Sequence, residues 1–373
     1  MPERFDLAVV GAGIVGLAHA LAAARRGLRV VVIDRDAQAN GASIRNFGFV
    51  TVTGQQRGEC WRRARRSRDV WAEIAPQAGI DILHRGLLVA ARRPEAMAVL
   101  EAFRATEMGE GCALLTPDEA RARLPALHGD LVGALWSPHD LRVESRAAIP
   151  KLAAWLAAAH GVVFHRSTVV TDVAPGGVET PGGVIRAARI VVAPGDDFHT
   201  LLEKDIAPYQ LTRCKLHMLR VADPALGRLP GAVMTDISLG RYLGYAELPE
   251  AGPLKARLAA EQAGHLAHGV HLIVVQSADG SLVVGDSHHY AATPDPFAPD
   301  FVDALILDEY AALFGRRPPH VVERWTGTYA AAPDRLALID APHPTIRLVM
   351  VTSGTGASTA FAIAEEAIGQ LFD

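Results

Sequence analysis

The sequence predicts an α/β fold in two parts. Three observations predict it. The chain opens on an apolar strand that breaks at glycines and becomes a helix. A second strand–glycine turn–helix unit stands near residue 350, and sheet-like sequence lies between the two. Strands that alternate with helices and are apolar along their whole length belong to a parallel sheet covered on both faces.

The first unit is Phe5-Asp-Leu-Ala-Val-Val-Gly-Ala-Gly-Ile-Val-Gly-Leu-Ala. Gly11 permits the tight turn, Gly13 leaves room for a pyrophosphate, and Gly16 lets the helix pack close to the strand. The helix start at Ile14 and Val15 offers unpaired N–H groups and a partial positive charge to phosphates. Arg29–Asp34 reads as the second strand. Asp34 closes it about twenty residues after the glycines, where an acid bonds a ribose hydroxyl, with Arg35 beside it. A glycine pattern alone is weak, but here the strand, the helix and the acid all stand where a Rossmann dinucleotide site needs them. NAD and FAD both satisfy that pattern.

Two further segments point to FAD. Gly41–Val50 is small and polar, then apolar, and carries Ser43, Arg45, Asn46, Phe47 and Gly48 directly after the second strand. Val349–Val351 runs into Gly354, Thr355, Gly356, Ala357 and Ser358 and then an alanine-rich helix. That helix start presents a second set of free N–H groups to a polar ligand edge. A dinucleotide gripped from both ends of the chain suits FAD, whose isoalloxazine lies far from its adenine.

Composition bounds the rest. The chain has 373 residues, half of them hydrophobic, and a net charge of -4. That length argues for two cores, and that charge gives no electrostatic support for nucleic-acid binding. Cys60, Cys112 and Cys214 are scattered, so neither a disulfide framework nor a zinc knuckle is expected, and a reducing cytoplasm is the simple reading. The apolar run Leu7–Ala24 is interrupted by glycines at motif spacing and lacks a basic flank, so it reads as strand, turn and helix and not as a membrane span or leader. The helix from Arg57 to Arg68 is arginine-rich with Trp61, but Glu59, Asp69 and Glu73 interleave, so a solvated helix is expected.

These segments resemble the D-amino acid oxidase superfamily of FAD-dependent oxidoreductases, the group with glycine oxidase and sarcosine oxidase. The resemblance runs over nearly the whole chain. It rests on the opening glycines, the Ala42–Val50 turn, Ile190–Gly195, Trp325–Tyr329, Pro333-Asp334-Arg335 and Gly354–Gly356. Ala42–Gly48 together with Gly285–Tyr290 further resembles a bacterial branch associated with aminophosphonate breakdown. The resemblance implies a Rossmann-type FAD-binding domain in three pieces, 1–85, 140–210 and 325–373. It also implies an α+β substrate domain, 86–139 and 211–324, on a mostly antiparallel sheet. It adds Val169 and Gly195 to the cofactor contacts. Relatives that hold flavin covalently use a histidine near the Ser43 region or a late cysteine, and neither stands here, so FAD is expected to be noncovalent.

The activity implied is oxidation of a small amine to an imine that hydrolyses to an aldehyde, with a hydride passing to the flavin. The favoured substrate is a relative of 2-aminoethylphosphonate, such as its N-methyl or 1-hydroxy derivative. A glycine- or sarcosine-like amino acid is the rival, and a flavoprotein without catalysis is the third reading. Oxygen or another carrier takes the electrons, and the oligomeric state is open. Arg45, Tyr242, Tyr329 and His288 are candidates beside the flavin, with His289 on the opposite side of its strand and Arg241 a weaker candidate. Arg213, Lys215 and His217 alternate along one strand and so share one face. That face could bind a phosphonate, a solvated strand face being the alternative. His265, His268 and His271 are equally spaced, but Gly264 and Gly269 break any helix that would align them, so no metal site is expected.

Overall fold

In the computed structural model, which describes residues 4–373, two sheets divide the chain. The first has the order Ala337–His343, Ile346–Val351, Gly183–Val192, Arg4–Val10, Val30–Ile33, Val163–His165. All neighbours on this path are parallel except the Ala337–His343 edge. Leu7, Val9, Val30, Val32, Val191 and Val349 are buried, as strands covered on both faces require.

Helix Ile14–Ala24 packs against helix Gly356–Phe372, which also lies along helix Glu59–Gln77. Two arginines of that last helix serve this contact. Arg63 pairs with Glu366 and Arg66 with Glu365, so part of the arginine-rich stretch is an interhelical clamp. Trp71 is buried there and stacks edge-on against Phe361, 5.1 Å between centroids.

The second sheet runs His289–Ala291, Thr212–Ala222, Leu282–Gly285, Ile273–Gln276, Ala232–Thr235, Ile82–Ala91, Gly133–Val143, Phe49–Val50. His320–Ala331 pairs along the whole of Thr212–Ala222. Its pairs are antiparallel apart from Ala232–Thr235 with Ile82–Ala91. Helix Asp300–Phe314 covers one side, with Ile306, Tyr310 and Phe314 buried.

Three expected domain cuts fall inside strands of this second sheet. The 85/86 cut divides Ile82–Ala91, 139/140 divides Gly133–Val143, and 324/325 divides His320–Ala331. Each strand pairs within the second sheet on both sides of its cut, through a register irregularity at Arg85/Leu87 and without a break at Arg324/Trp325. Residues 1–3 of the expected first block lie outside the described residues. Among the described residues no helix is long and apolar enough to cross a membrane.

Candidate active site

A cavity of about 1040 Å³ runs between the two sheets, from Asp34 at one end to Arg241 and Tyr290 at the other. At the first end it is walled by Gly11, Gly13, Ile14, Val15, Gly16, Asp34, Arg35, Val169 and Gly195. Gly11 has φ +104° and its Cα faces the Ala193 carbonyl so closely that a Cβ would lie 2.4 Å from that oxygen. Ser43 Oγ accepts the Ile14 N–H at 2.9 Å, tying the following turn to the helix start.

The middle of the cavity is lined by Ser43, Arg45, Asn46, Phe47, Thr51 and, opposite, Gly354 through Ser358. Asn46 spends its side chain on its own turn. Its amide donates to the Ala42 carbonyl and its Oδ1 accepts the Gly48 N–H. Gly48 does not line the cavity, contrary to expectation. Its Cα abuts the Val143 carbonyl, where a Cβ would come within 1.8 Å, and φ is +68°, so its glycine serves backbone packing. Beneath the segment, buried Asp140 accepts hydrogen bonds from Val52 N, Thr53 N and the hydroxyls of Thr51 and Thr53. Sequence spacing gave no sign of Asp140, which acts across almost ninety residues.

At the far end stand Leu216, Arg241, Tyr242, His271, Asp286, His288, Tyr290 and Tyr329. Arg241 donates to the Tyr290 hydroxyl at 2.9 Å and to that of Tyr329 at 3.4 Å. Among the described residues it has no carboxylate within salt-bridge distance. Burial raises the Tyr329 and Tyr242 phenols above their ordinary value, so both carry their protons. Burial alone would raise the Asp286 carboxyl, but His288, His271 and Arg241 around it bring it below the usual carboxylate value. Burial pushes His288 well below 6.5, so its imidazole is neutral.

The expected cationic face is real as a face but is not a wall of this cavity. Arg213, Lys215 and His217 do share one side of strand Thr212–Ala222, and Leu216 on the other side lines the cavity. Alternation therefore turns the three side chains away from it. Arg213 donates to the carbonyls of Asp196 and Ala292, and Lys215 pairs with Asp295 at 2.9 Å. His217 lies 3.1 Å from Asp303 of the covering helix. His288 lines the cavity, whereas His289 lies against the His217 and His268 rings. Of the three spaced histidines only His271 reaches the cavity.

The model of the DAO family, FAD dependent oxidoreductase, matches residues 6–369. The chain belongs to this family. It is 29% identical over 213 residues to glycine oxidase of Geobacillus kaustophilus, covering 52% of this chain and 55% of the relative. It is 27% identical to monomeric sarcosine oxidase of Bacillus sp., covering 55% and 54%. The chain thus spans about half the length of these curated relatives. The crystal structure of glycine oxidase from Geobacillus kaustophilus superposes with a TM-score of 0.76 at 20% identity, over 99% of this chain and 94% of that one. L-Proline dehydrogenase from P. horikoshii gives 0.79 at 20% identity, over 100% and 94%. These structural likenesses show the fold.

The residues present fit the family's FAD. The helix start at Ile14 has no side-chain cap from Gly13, and Gly13 faces Ser43 so tightly that a Cβ would sit 2.9 Å from its Oγ. Apart from the Ile14 N–H taken by Ser43, the glycine turn offers its backbone to a phosphate-bearing ligand at the positive end of a helix.

Proposed function

We propose that this protein is an FAD-dependent oxidoreductase of a small amine that carries an anionic group. The favoured substrate is an aminophosphonate related to 2-aminoethylphosphonate. The observation that supports this is Arg241, a cavity-lining guanidinium without a carboxylate partner among the described residues, set beside the hydroxyls of Tyr290 and Tyr329. Guanidinium and two hydroxyls offer donors to three oxygens, the number a phosphonate presents. The cationic strand face no longer supports the phosphonate reading, because its charges are paired elsewhere. Arg241 takes its place.

FAD, held noncovalently, supplies the acceptor for the electron pair that leaves the amine's α carbon. Asp34, the Gly11–Gly16 turn and the Gly354–Ser358 helix start would hold it. Arg241, Tyr290 and Tyr329 fix the anionic end, and Leu216, Phe47, Phe49 and Ile273 give apolar walls that limit water. Fixing one end of a small substrate restricts how its α C–H can point, which is where an enzyme of this kind gains most.

A second reading is an amino acid substrate like those of glycine and sarcosine oxidases, with Arg241 holding a carboxylate bidentately. The likeness to both relatives favours it. Anaerobic mixing separates the two. Bleaching of the flavin by aminophosphonates is expected. Bleaching by glycine or sarcosine alone would overturn the phosphonate reading, and no bleaching by any amine would make the chain a non-catalytic flavoprotein. Peroxide formed in air tells oxygen from another acceptor.

A further inference from the structure

Beside Arg241 lies a buried cluster of two imidazoles and one carboxylate. His271, Asp286 and His288 are each at least nine-tenths buried and line the cavity. Nε2 of His271 is 2.9 Å from Asp286 Oδ1, and Nε2 of His288 is 3.7 Å from Oδ2. One ligand atom from each residue lies within 4.8 Å of the others. The two rings stack 5.0 Å apart.

The outer ring nitrogen of His288 fixes its tautomer. His288 Nδ1 stands 2.9 Å from the Gly269 carbonyl, which can only accept, so Nδ1 carries the proton. The His288 Nε2 lone pair then faces the Asp286 carboxylate, whose Oδ1 finds no well-aligned donor. Buried acceptors left in this state are costly unless a cation with donors sits among them.

We infer that His271, Asp286 and His288 form a subsite for the ammonium group of the substrate. This rests on the functional reading above, since it takes that reading's substrate to carry its amine here. The Asp286 carboxylate and the His288 Nε2 lone pair match two N–H donors, and one carboxylate matches one positive charge. Donors at Arg241 and acceptors at Asp286 line the same end of the cavity, the pairing of charges a small zwitterion requires. The same three residues are a donor set for a divalent cation. The guanidinium of Arg241, whose charge is felt by both Asp286 and His288, opposes a doubly charged ion and suits a monocation.

The test uses the holoenzyme and two ligand pairs, 2-aminoethylphosphonate with ethylphosphonate and glycine with acetate. Kd comes from anaerobic stopped-flow reduction for the amines and from the flavin absorbance shift for their amine-free partners. In Asp286→Asn, amine affinity should fall on the order of a hundredfold, with the amine-free partner changed less than about threefold. N-methylation of the amine should change binding to the native enzyme less than about threefold, since two N–H donors remain, whereas N,N-dimethylation should weaken it roughly tenfold. An unchanged ratio of amine to amine-free affinity in Asp286→Asn overturns the subsite. So does equal binding of the N,N-dimethyl amine. One equivalent of divalent metal in the native holoenzyme, lost in Asp286→Asn, also overturns it. Should Asp286→Asn fail to load FAD, His288→Phe removes one acceptor while keeping a ring in the stack, and the same ratios decide. If only the glycine pair binds, the phosphonate reading fails while the subsite is still scored on glycine.

Discussion

Oδ2 of Asp34 accepts the backbone N–H of Ala12 at 2.6 Å. The acid at the end of the second strand is thereby bonded to the glycine turn itself, and Oδ1 accepts the Asp36 N–H at 2.8 Å. Asp34 shapes the turn as well as facing the cavity. Replacing it with alanine is expected to raise the Kd for FAD roughly tenfold to a hundredfold, the loss of a charge-assisted hydrogen bond. Fluorescence titration of apoprotein with FAD measures this, and an unaltered Kd would remove Asp34 from the cofactor site.

Gly16→Ala should be severe. A Cβ there would lie 1.8 Å from the Gly11 carbonyl oxygen and 3.2 Å from Val9, and the first contact is backbone that cannot step aside. About 3 kcal/mol of stability should be lost, together with FAD retention. Gly252→Ala is the control, because no atom lies within 4 Å of its added Cβ. It should stay within about 1 kcal/mol of the parent. Comparable melting shifts for the two would refute the close-approach argument.

Arg241→Gln should raise KM for an anionic amine on the order of a hundredfold while leaving an uncharged amine of similar size nearly unaffected. Arg213→Ala and Lys215→Ala should leave KM close to its parent value, since neither side chain lines the cavity. Steady-state kinetics on the purified holoenzymes would expose the error if Lys215→Ala, and not Arg241→Gln, carried the effect.

Stability should fall as pH drops below neutrality. Burial lowers His19 from 6.5 to about 4, its Nδ1 donating to the Val15 carbonyl. Burial, with Arg142 nearby, lowers His84 to about 4 as well, and its Nε2 accepts the Gln276 N–H at 2.7 Å. Both pKa values are depressed in the folded state. Their contribution is complete above pH 6.5 and is lost between there and about 4, as the unfolded chain takes up protons the folded one refuses. Each costs about 1.4 kcal/mol per pH unit over that window. Urea midpoints between pH 7.5 and 4.5 should show this slope, and His84→Gln should remove one proton's share of it. A slope indifferent to that substitution would contradict the assignment.

Acid precipitation of the yellow protein should leave the colour in solution. Cys60, Cys112 and Cys214 are buried, and none lines the cavity. Colour in the pellet would mean a covalent bond, with the cavity histidines His271 and His288 the first places to look.

The parallel strands were readable because a strand buried on both faces must be apolar throughout, as Val30–Ile33 is. The glycine turns were readable because Gly11 and Gly16 hold positions no side chain can share. Strand Thr212–Ala222 shows where such reading stops. Alternation groups Arg213, Lys215 and His217 correctly, yet says nothing about which side meets the cavity. The side away from the cavity meets acids far along the chain, Asp295 against Lys215 and Asp303 against His217. Likewise His271 meets Asp286 because Ile273 and Gly285 are paired in the ladder, and spacing in the sequence does not reveal a register.

Strand Arg4–Val10 lies between Gly183–Val192 and Val30–Ile33, and Ile346–Val351 borders Gly183–Val192 in turn. On a translating ribosome the nucleotide cradle is made well before its support at Ile346–Val351. Between the completion of Gly183–Val192 and the arrival of Ile346 lie roughly 155 residues, which take roughly 8 to 30 s to emerge at ordinary elongation rates. Throughout that time the edge of Gly183–Val192 that will receive Ile346–Val351 is open to any other strand. A nascent or truncated chain ending before residue 346 therefore carries an adhesive β-edge that the finished protein conceals. Its yield in cells should depend on holdase chaperones more than the stability of the mature fold would suggest.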